Sequence, residues 1–197
     1  MHQSFFKGPA SDRSPNDFYW TPPVATEALL EVEAFRGGGI LEPACGQGHI
    51  SNVLLAHGYE VKSADLCDYG FGVTGVDYLT SDEVVDNVIT NPPFKFGQRF
   101  VEHAVAHTRF KVAMLFRASF LESGKRWGLF NELPFARLWV FSNRVRMGTN
   151  KHPGGLGGAV SYAWFIWEHG YRGRPTVGWL RVSTAGWVVP GAQTVTE

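Results

Sequence analysis

Apolar residues along this chain change their spacing several times, and the changes mark out alternating helices and strands. Val24, Ala28, Val32 and Phe35 recur at helical spacing, which predicts an amphipathic helix over residues 21–35. Thr21-Pro22 predicts its start, with Thr21 as N-cap and Pro22 in the first helical position, and Gly37-Gly38-Gly39 predicts its stop. Short apolar runs then read as strands at residues 39–42, 60–64, 84–90, 111–116, 136–141 and 159–167, with one more at 178–183. Helices fall between them at residues 50–57, 95–108 and 124–132. In the helix at 95–108, Phe96, Phe100, Val101, Ala104 and Val105 form the inward stripe.

Strands alternating with helices predict an α/β fold with a mostly parallel sheet and helices on both faces. With 197 residues, 44% of them hydrophobic, the chain suits one such domain and leaves little length for a second. Residues 1–17 read as a loose polar arm, 18–185 as the domain and 186–197 as a tail. In an open parallel sheet, ligands bind outside the carboxyl ends of the strands. The segments that follow strands are therefore where chemistry is expected.

Composition narrows the class. No apolar run is long enough to span a bilayer, and residues 1–9 lack the basic start and apolar stretch of a secretory signal. Cys45 and Cys67 form no CxxC pair and no disulfide framework, so a reducing cytoplasm is the expected location. The formal net charge is zero, yet residues 1–108 carry 6 Lys/Arg against 14 Asp/Glu, and residues 109–197 carry 12 against 4. A basic half suits a polyanionic partner such as nucleic acid, unless the two halves mix in space.

Two post-strand segments carry candidate chemistry. The first is Glu42-Pro43-Ala44-Cys45-Gly46-Gln47-Gly48, which follows a strand and opens a helix. Its glycines let the backbone turn sharply and approach a ligand, and the helix start behind them offers unpaired N–H groups. Ser51 stands where a dinucleotide fingerprint wants Gly or Ala, and no Gly-Lys-Ser/Thr is present for a phosphate loop. Asp65 ends the next strand, where a carboxylate can accept both hydroxyls of a ribose.

The second is Asn91-Pro92-Pro93-Phe94, after the apolar strand at 84–90. Two prolines remove two N–H donors and stiffen the corner. The Pro92 carbonyl and the Asn91 side chain are then two acceptors, and Phe94 is a flat apolar face. Such a corner suits a planar ring bearing an exocyclic NH2: two acceptors hold the amine hydrogens while the aromatic ring stacks. The alternative is a rigid turn with a buried Phe.

Asn91-Pro92-Pro93-Phe94 resembles the catalytic motif of class I S-adenosylmethionine-dependent amino-methyltransferases, especially the N6-adenine DNA enzymes. Residues 42–48 are similar to their cofactor motif, and Tyr19-Trp20-Thr21-Pro22-Pro23 to the segment that precedes it. The resemblance covers roughly residues 18–168. It implies a Rossmann-like, mostly parallel seven-stranded sheet with a reversed strand, and S-adenosyl-L-methionine as cofactor. It implies that Tyr19, Thr21, Glu42, Pro43, Ala44, Gly46 and Gly48 hold the methionine part, with Asp65 on the ribose and Leu66 beside it. Asp77 would bind the adenine amine, with Tyr78 or Leu79 against the ring. Asn91 would face cofactor and target, and Pro92, Pro93 and Phe94 would hold the target.

Five glycines between 147 and 158 predict a flexible surface loop, and Arg144, Arg146 and Lys151 are expected beside the target pocket, gripping phosphates around a flipped base. His103 and His107 share a helical face but lack an evident third ligand, so no metal is expected. The resulting expectation is an adenine-N6 methyltransferase of the small type without a target-recognition domain, acting on DNA. The same corner also suits an RNA base amine or a protein glutamine, and a cofactor-binding module without catalysis is the third reading. Oligomeric state is not legible here.

Overall fold

The computed structural model describes residues 19–148 and 160–182. In chain order these form α1 (Pro23–Val32), β1 (Ile40–Glu42), α2 (His49–Ala56), β2 (Val61–Asp65), β3 (Val73–Thr74) and β4 (Val85–Thr90). There follow α3 (Gly97–Ala106), β5 (Thr108–Arg117), α4 (Trp127–Asn131), β6 (Phe135–Phe141), β7 (Tyr162–Glu168) and β8 (Thr176–Leu180). The strands make one sheet in the order β3-β2-β1-β4-β5-β7-β6-β8. Only β7 runs antiparallel to its neighbours β5 and β6; the other pairings are parallel. The sheet therefore has eight strands among the described residues rather than seven. The additional one is β3, a two-residue strand in the glycine-rich stretch that carries no readable apolar period.

Strand alternation divides the interior into two layers. On β4, β5 and β7, Ile89, Ala113, Leu115, Tyr162, Trp164 and Ile166 face the layer that includes Ala25, Leu29, Ile50 and Leu54 of α1 and α2. The intervening Val88, Val112, Met114, Phe116, Ala163, Phe165 and Trp167 face the layer of α3 and α4. Each large apolar side chain buried in this way contributes about 1.5–3 kcal/mol. Trp164 and Trp167 are fully buried on opposite faces, and each spends its indole N–H on a helix carbonyl, Ala25 and Leu129 respectively, at 2.8 Å.

Two expected details shift. The first helix begins at Pro23 with Pro22 at its cap, so its inward stripe turns to Ala25, Ala28 and Leu29 while Val32 is exposed. In the 95–108 segment, residues 94–96 form a separate 3-10 turn. Phe96 therefore stands exposed before the helix starts, whereas Phe100, Val101, Ala104 and Val105 are buried as expected. No helix among the described residues is long and apolar enough to cross a membrane. The arm at 1–17, the loop residues 149–158 with Lys151, and the tail at 186–197 lie outside the described residues.

At the amino-terminal edge of the strands, Glu33 ties α1 to the sheet. Its buried carboxylate accepts from Lys111 Nζ at 2.6 Å, from Trp139 Nε1 at 2.8 Å and from the Arg137 guanidinium, which also reaches Glu168. Burial pushes the Glu33 carboxyl up, but the bonds from Arg137, Lys111 and Trp139 outweigh it and the net direction is down. Replacing Glu33 with Ala leaves the buried Lys111 and the half-buried Arg137 with only Glu168 as counter-ion, so Glu33→Ala should cost about 3 kcal/mol in urea unfolding. A cost below about 1 kcal/mol would show that the cluster is not a structural tie.

Candidate active site

The order of strands reverses between β1 and β4, and a cleft of about 680 Å³ opens there along the carboxyl edge of the sheet. The four segments that follow β1, β2, β3 and β4 each contribute a polar group to it. The turn after β1 supplies Glu42, Pro43, Ala44 and Gly46. Asp65 and Leu66 come from the end of β2, Asp77 and Tyr78 from beyond β3, and Asn91 and Pro93 from the corner after β4. Tyr19 and Thr21 close the cleft from the segment before α1.

The glycine turn is held by Asp65. One of its oxygens accepts from Gly46 N at 2.9 Å and the other from Cys67 N at 2.8 Å. Each carboxylate oxygen keeps acceptor capacity for a further donor. Gly48 does not line the cleft; it caps α2 with φ +79°, and a Cβ there would lie 2.6 Å from the Phe71 ring. Any other side chain would be strained and would also clash. Cys45 is buried in the turn, and burial pushes its thiol up to about 12, so it packs there as an inert thiol. Asp77 caps the 3-10 turn at Tyr78–Thr80 through Leu79 N at 3.0 Å. The Tyr78 ring packs on Phe100, and its hydroxyl is buried without a hydrogen-bond partner among the described residues.

The corner at Asn91 has a defined orientation. Its side-chain nitrogen donates to the Tyr19 carbonyl and to Thr21 Oγ1, both at 3.1 Å. A backbone carbonyl only accepts, so the amide nitrogen must face Tyr19 and Oδ1 is the acceptor presented elsewhere. Thr21 thus serves Asn91 rather than capping α1. Pro92 is buried and does not line the cleft, contrary to expectation; its carbonyl accepts no backbone hydrogen bond among the described residues, while Pro93 O accepts from Phe96 N at 2.9 Å. Phe94 does not line the cleft. Its ring lies on the other side of the corner, 6.0 Å from Tyr19 and 6.3 Å from Tyr162 between centroids, with the Arg117 guanidinium 5.1 Å above it. Tyr19, which both lines the cleft and stacks on Phe94, and Asn91, which it holds, thus border the cleft on one hand and the Phe94 ring on the other.

Several lining residues went unread in the sequence. Trp20 stacks on His49 at 5.0 Å and pairs through its backbone with Gly148, where a Cβ would sit 1.8 Å from the indole. Lys95, Phe96 and Arg99 flank the mouth next to the Asn91 corner. Arg144 and Arg146 are exposed after β6, on the same edge of the sheet but outside the cleft. Arg144 and Arg146 are the cations expected beside the target pocket, whereas only the rule that ligands gather beyond strand ends could have flagged Lys95 and Arg99. Among the described residues His103 and His107 stack at 4.2 Å, and no three metal-ligating side chains come together.

No protein-family model and no curated protein matches this chain. Solved structures do. A candidate RNA methyltransferase from Pyrococcus horikoshii is 17% identical with a TM-score of 0.59, covering 76% of this chain and 85% of that one. A candidate class I S-adenosylmethionine-dependent methyltransferase from Listeria monocytogenes is 13% identical with a TM-score of 0.56, covering 82% and 64%. The methyltransferase subunit of a type I restriction-modification system from Streptococcus thermophilus is 14% identical with a TM-score of 0.54, covering 77% and 45%, so this chain spans less than half of that subunit. The fold is the Rossmann-like one of class I S-adenosylmethionine-dependent methyltransferases.

Glu42 gives the cleft a titration of its own. It is 2% exposed and accepts from Ser51 N at 2.8 Å and from the Ser51 hydroxyl. Burial pushes its carboxyl up to about 8 from 4.5, Asp65 adds to the rise, and the Ser51 bonds oppose it. The folded state then binds the proton more tightly than the unfolded state. The stability it contributes is fully present below about pH 4.5 and is lost as pH rises through about 8. Between those limits the loss runs at about 1.4 kcal/mol for each step of one in pH. The ligand-free protein should therefore melt at lower temperature at pH 8.5 than at pH 5.5, and Glu42→Gln should flatten the difference. Equal pH dependence in the two proteins would disprove the assignment.

Proposed function

We propose that this chain is an S-adenosyl-L-methionine-dependent methyltransferase acting on an exocyclic amino nitrogen, with adenine N6 in DNA the favoured target. The observation that carries the reading is the Asn91 carboxamide, whose nitrogen is spent on Tyr19 and Thr21 so that Oδ1 remains as acceptor at the lip of the cleft.

The cleft fits the cofactor in size and in donor set. Its 680 Å³ lies in the range of nucleotide-sized ligand sites. Glu42 is a buried carboxyl suited to an ammonium group, the Asp65 carboxylate to ribose hydroxyls with Leu66 alongside, and Asp77 to an adenine amine with Tyr78 against the ring. When bound, the cofactor supplies an electrophilic sulfonium methyl. Asn91 Oδ1 and the Pro92 carbonyl accept the two hydrogens of the target amine and direct its lone pair toward that methyl. Transfer of that methyl would leave a neutral thioether, and the part of Asn91 and Pro92 would be to hold the amine lone pair in line with it. The extra proton on nitrogen would pass to solvent, because a carboxamide oxygen and a peptide carbonyl are too weakly basic to keep it. Phe94 stacks on the target ring, and Pro93 keeps the corner rigid.

Charge supports a nucleic-acid substrate. Among the described residues the ion pairs involve Lys62, Arg109, Lys111 and Arg137, all toward the amino edge of the strands. Lys95, Arg99, Arg117, Arg144 and Arg146, at the carboxyl edge from β4 to β6, have no carboxylate within 4.0 Å among the described residues. A glutamine-methylating enzyme has no need of such a row. The restriction-modification neighbour favours DNA, and the candidate RNA methyltransferase from P. horikoshii keeps an RNA base amine as the second reading. Arg144 and Arg146, with Lys151, would contact phosphates flanking a flipped base.

Methyl transfer from labelled cofactor to DNA, RNA and protein, followed by nucleoside analysis, tests the proposal. N6-methyladenine in DNA is the expected product, and label in protein alone would overturn the substrate assignment. Asn91→Ala should lower transfer by about a hundredfold or more while cofactor affinity changes little. Arg144→Ala with Arg146→Ala should weaken DNA binding and reduce the slope of log K against log salt by about 1.8. An unchanged slope would remove these two residues from the interface.

A further inference from the structure

One face of the Phe94 ring, on which a target ring could stack, is covered by another group of the same chain. The Arg117 guanidinium lies 5.1 Å from the ring centroid. A planar base inserted between them would need two van der Waals separations of about 3.5 Å each. The base and the guanidinium therefore exclude one another. Arg117 ends β5, directly beside the end of β4 that launches the Asn91 corner, because Thr90 is in register with Met114.

The other neighbours of the ring are fixed. Tyr162 is 6% exposed and sits in the core layer, and Tyr19 is held through its carbonyl by Asn91. Arg117 is different. It is exposed, its polar partner is the Tyr162 hydroxyl, and no carboxylate lies within salt-bridge distance among the described residues. An exposed cation–π contact is weaker than the stacking of a base on an aromatic side chain. The exchange is downhill, and it frees a guanidinium at the edge where phosphates would lie.

We propose that Arg117 is a displaceable plug: it covers the target-stacking face of Phe94 in the free protein, and it moves onto a phosphate of the nucleic acid when the target base enters. This rests on the base-methylation reading. It adds a residue that couples base entry to backbone grip and keeps the aromatic face covered between turnovers. A polymer supplies both the base that displaces the plug and the phosphate that receives it. A free nucleoside supplies only the base.

The test compares wild type, Arg117→Ala and Arg117→Lys in equilibrium binding of a single-stranded oligodeoxynucleotide and of deoxyadenosine, both with S-adenosylhomocysteine present. Arg117→Ala should bind the oligonucleotide roughly fivefold more weakly at low salt, with a salt slope smaller by about 0.7. It should bind deoxyadenosine as well as wild type or better, because nothing has to be displaced. Arg117→Lys should restore the salt slope. Equal weakening toward both ligands would mean that Arg117 only supports the Phe94 ring, and an unchanged oligonucleotide slope would mean that it meets no phosphate. Either result overturns the proposal while the methyltransferase reading stands. Absence of transfer to any nucleic acid by wild type would remove that reading and the plug with it.

Discussion

A carboxamide presents one acceptor, and its value depends on which way it faces. In this protein the direction of Asn91 is set by two groups from a segment about seventy residues earlier in the chain, the Tyr19 carbonyl and the Thr21 hydroxyl. The arrangement links three things that sequence distance separates: the approach to α1, the end of β4 and the mouth of the cleft. If the nitrogen of Asn91 were free to rotate, it would present a donor to the target amine half of the time, and a donor repels an N–H. The prolines that follow remove two competing backbone donors from the same corner. The chemistry proposed for the site depends on this one orientation.

Keeping such a corner in register requires a stiff frame, and the two edges of the sheet divide the work. At the amino edge, Glu33 gathers Lys111, Arg137 and Trp139 and so binds α1 across β5 and β6. At the carboxyl edge the chain leaves groups uncommitted. The reversal of strand order between β1 and β4 splays their following segments apart and creates the cleft. Ties such as the Asp65 carboxylate to Gly46 N, and the backbone pairing of Trp20 with Gly148, then shape its walls without filling it.

The parts legible in the sequence are those whose causes are local. Gly46 and Gly48 announce a turn because few other residues tolerate it, and Pro92-Pro93 announces a strand end because proline cannot continue a ladder. Long apolar strands are also legible, although which faces Trp164 and Trp167 take is not, because nearly every residue from Tyr162 to Trp167 is apolar and buried. The failures have tertiary causes. Thr21 has the form of a helix cap, but a distant side chain claims its hydroxyl. Phe96 fits the helical stripe, yet a 3-10 turn delays the helix and turns that ring outward. β3 is two exposed residues whose existence depends on pairing with Ala64 and Asp65. Arg117 reaches Phe94 only because β4 and β5 are adjacent and in register, and one strand read alone contains no such information.

Topology also turns a linear charge imbalance into a spatial one. The acidic first half of the chain builds β3, β2 and β1, and the basic second half builds β5 to β8 on the far side of β4. The cleft is consequently lined by Asp65 and Asp77 on the side of β2 and β3, while cations gather toward Asn91, with Lys95 and Arg99 at the mouth and Arg117, Arg144 and Arg146 beyond it. That separation has a use in the proposed reaction. The cofactor carries a sulfonium and an ammonium, and the substrate carries a phosphate at every nucleotide. A cleft lined with cations would draw the polymer into the cofactor's place, and a target surface lined with carboxylates would repel it. Opposite fields on the two sides of one corner would admit each proposed partner to its own side, with Asn91 where the two sides meet.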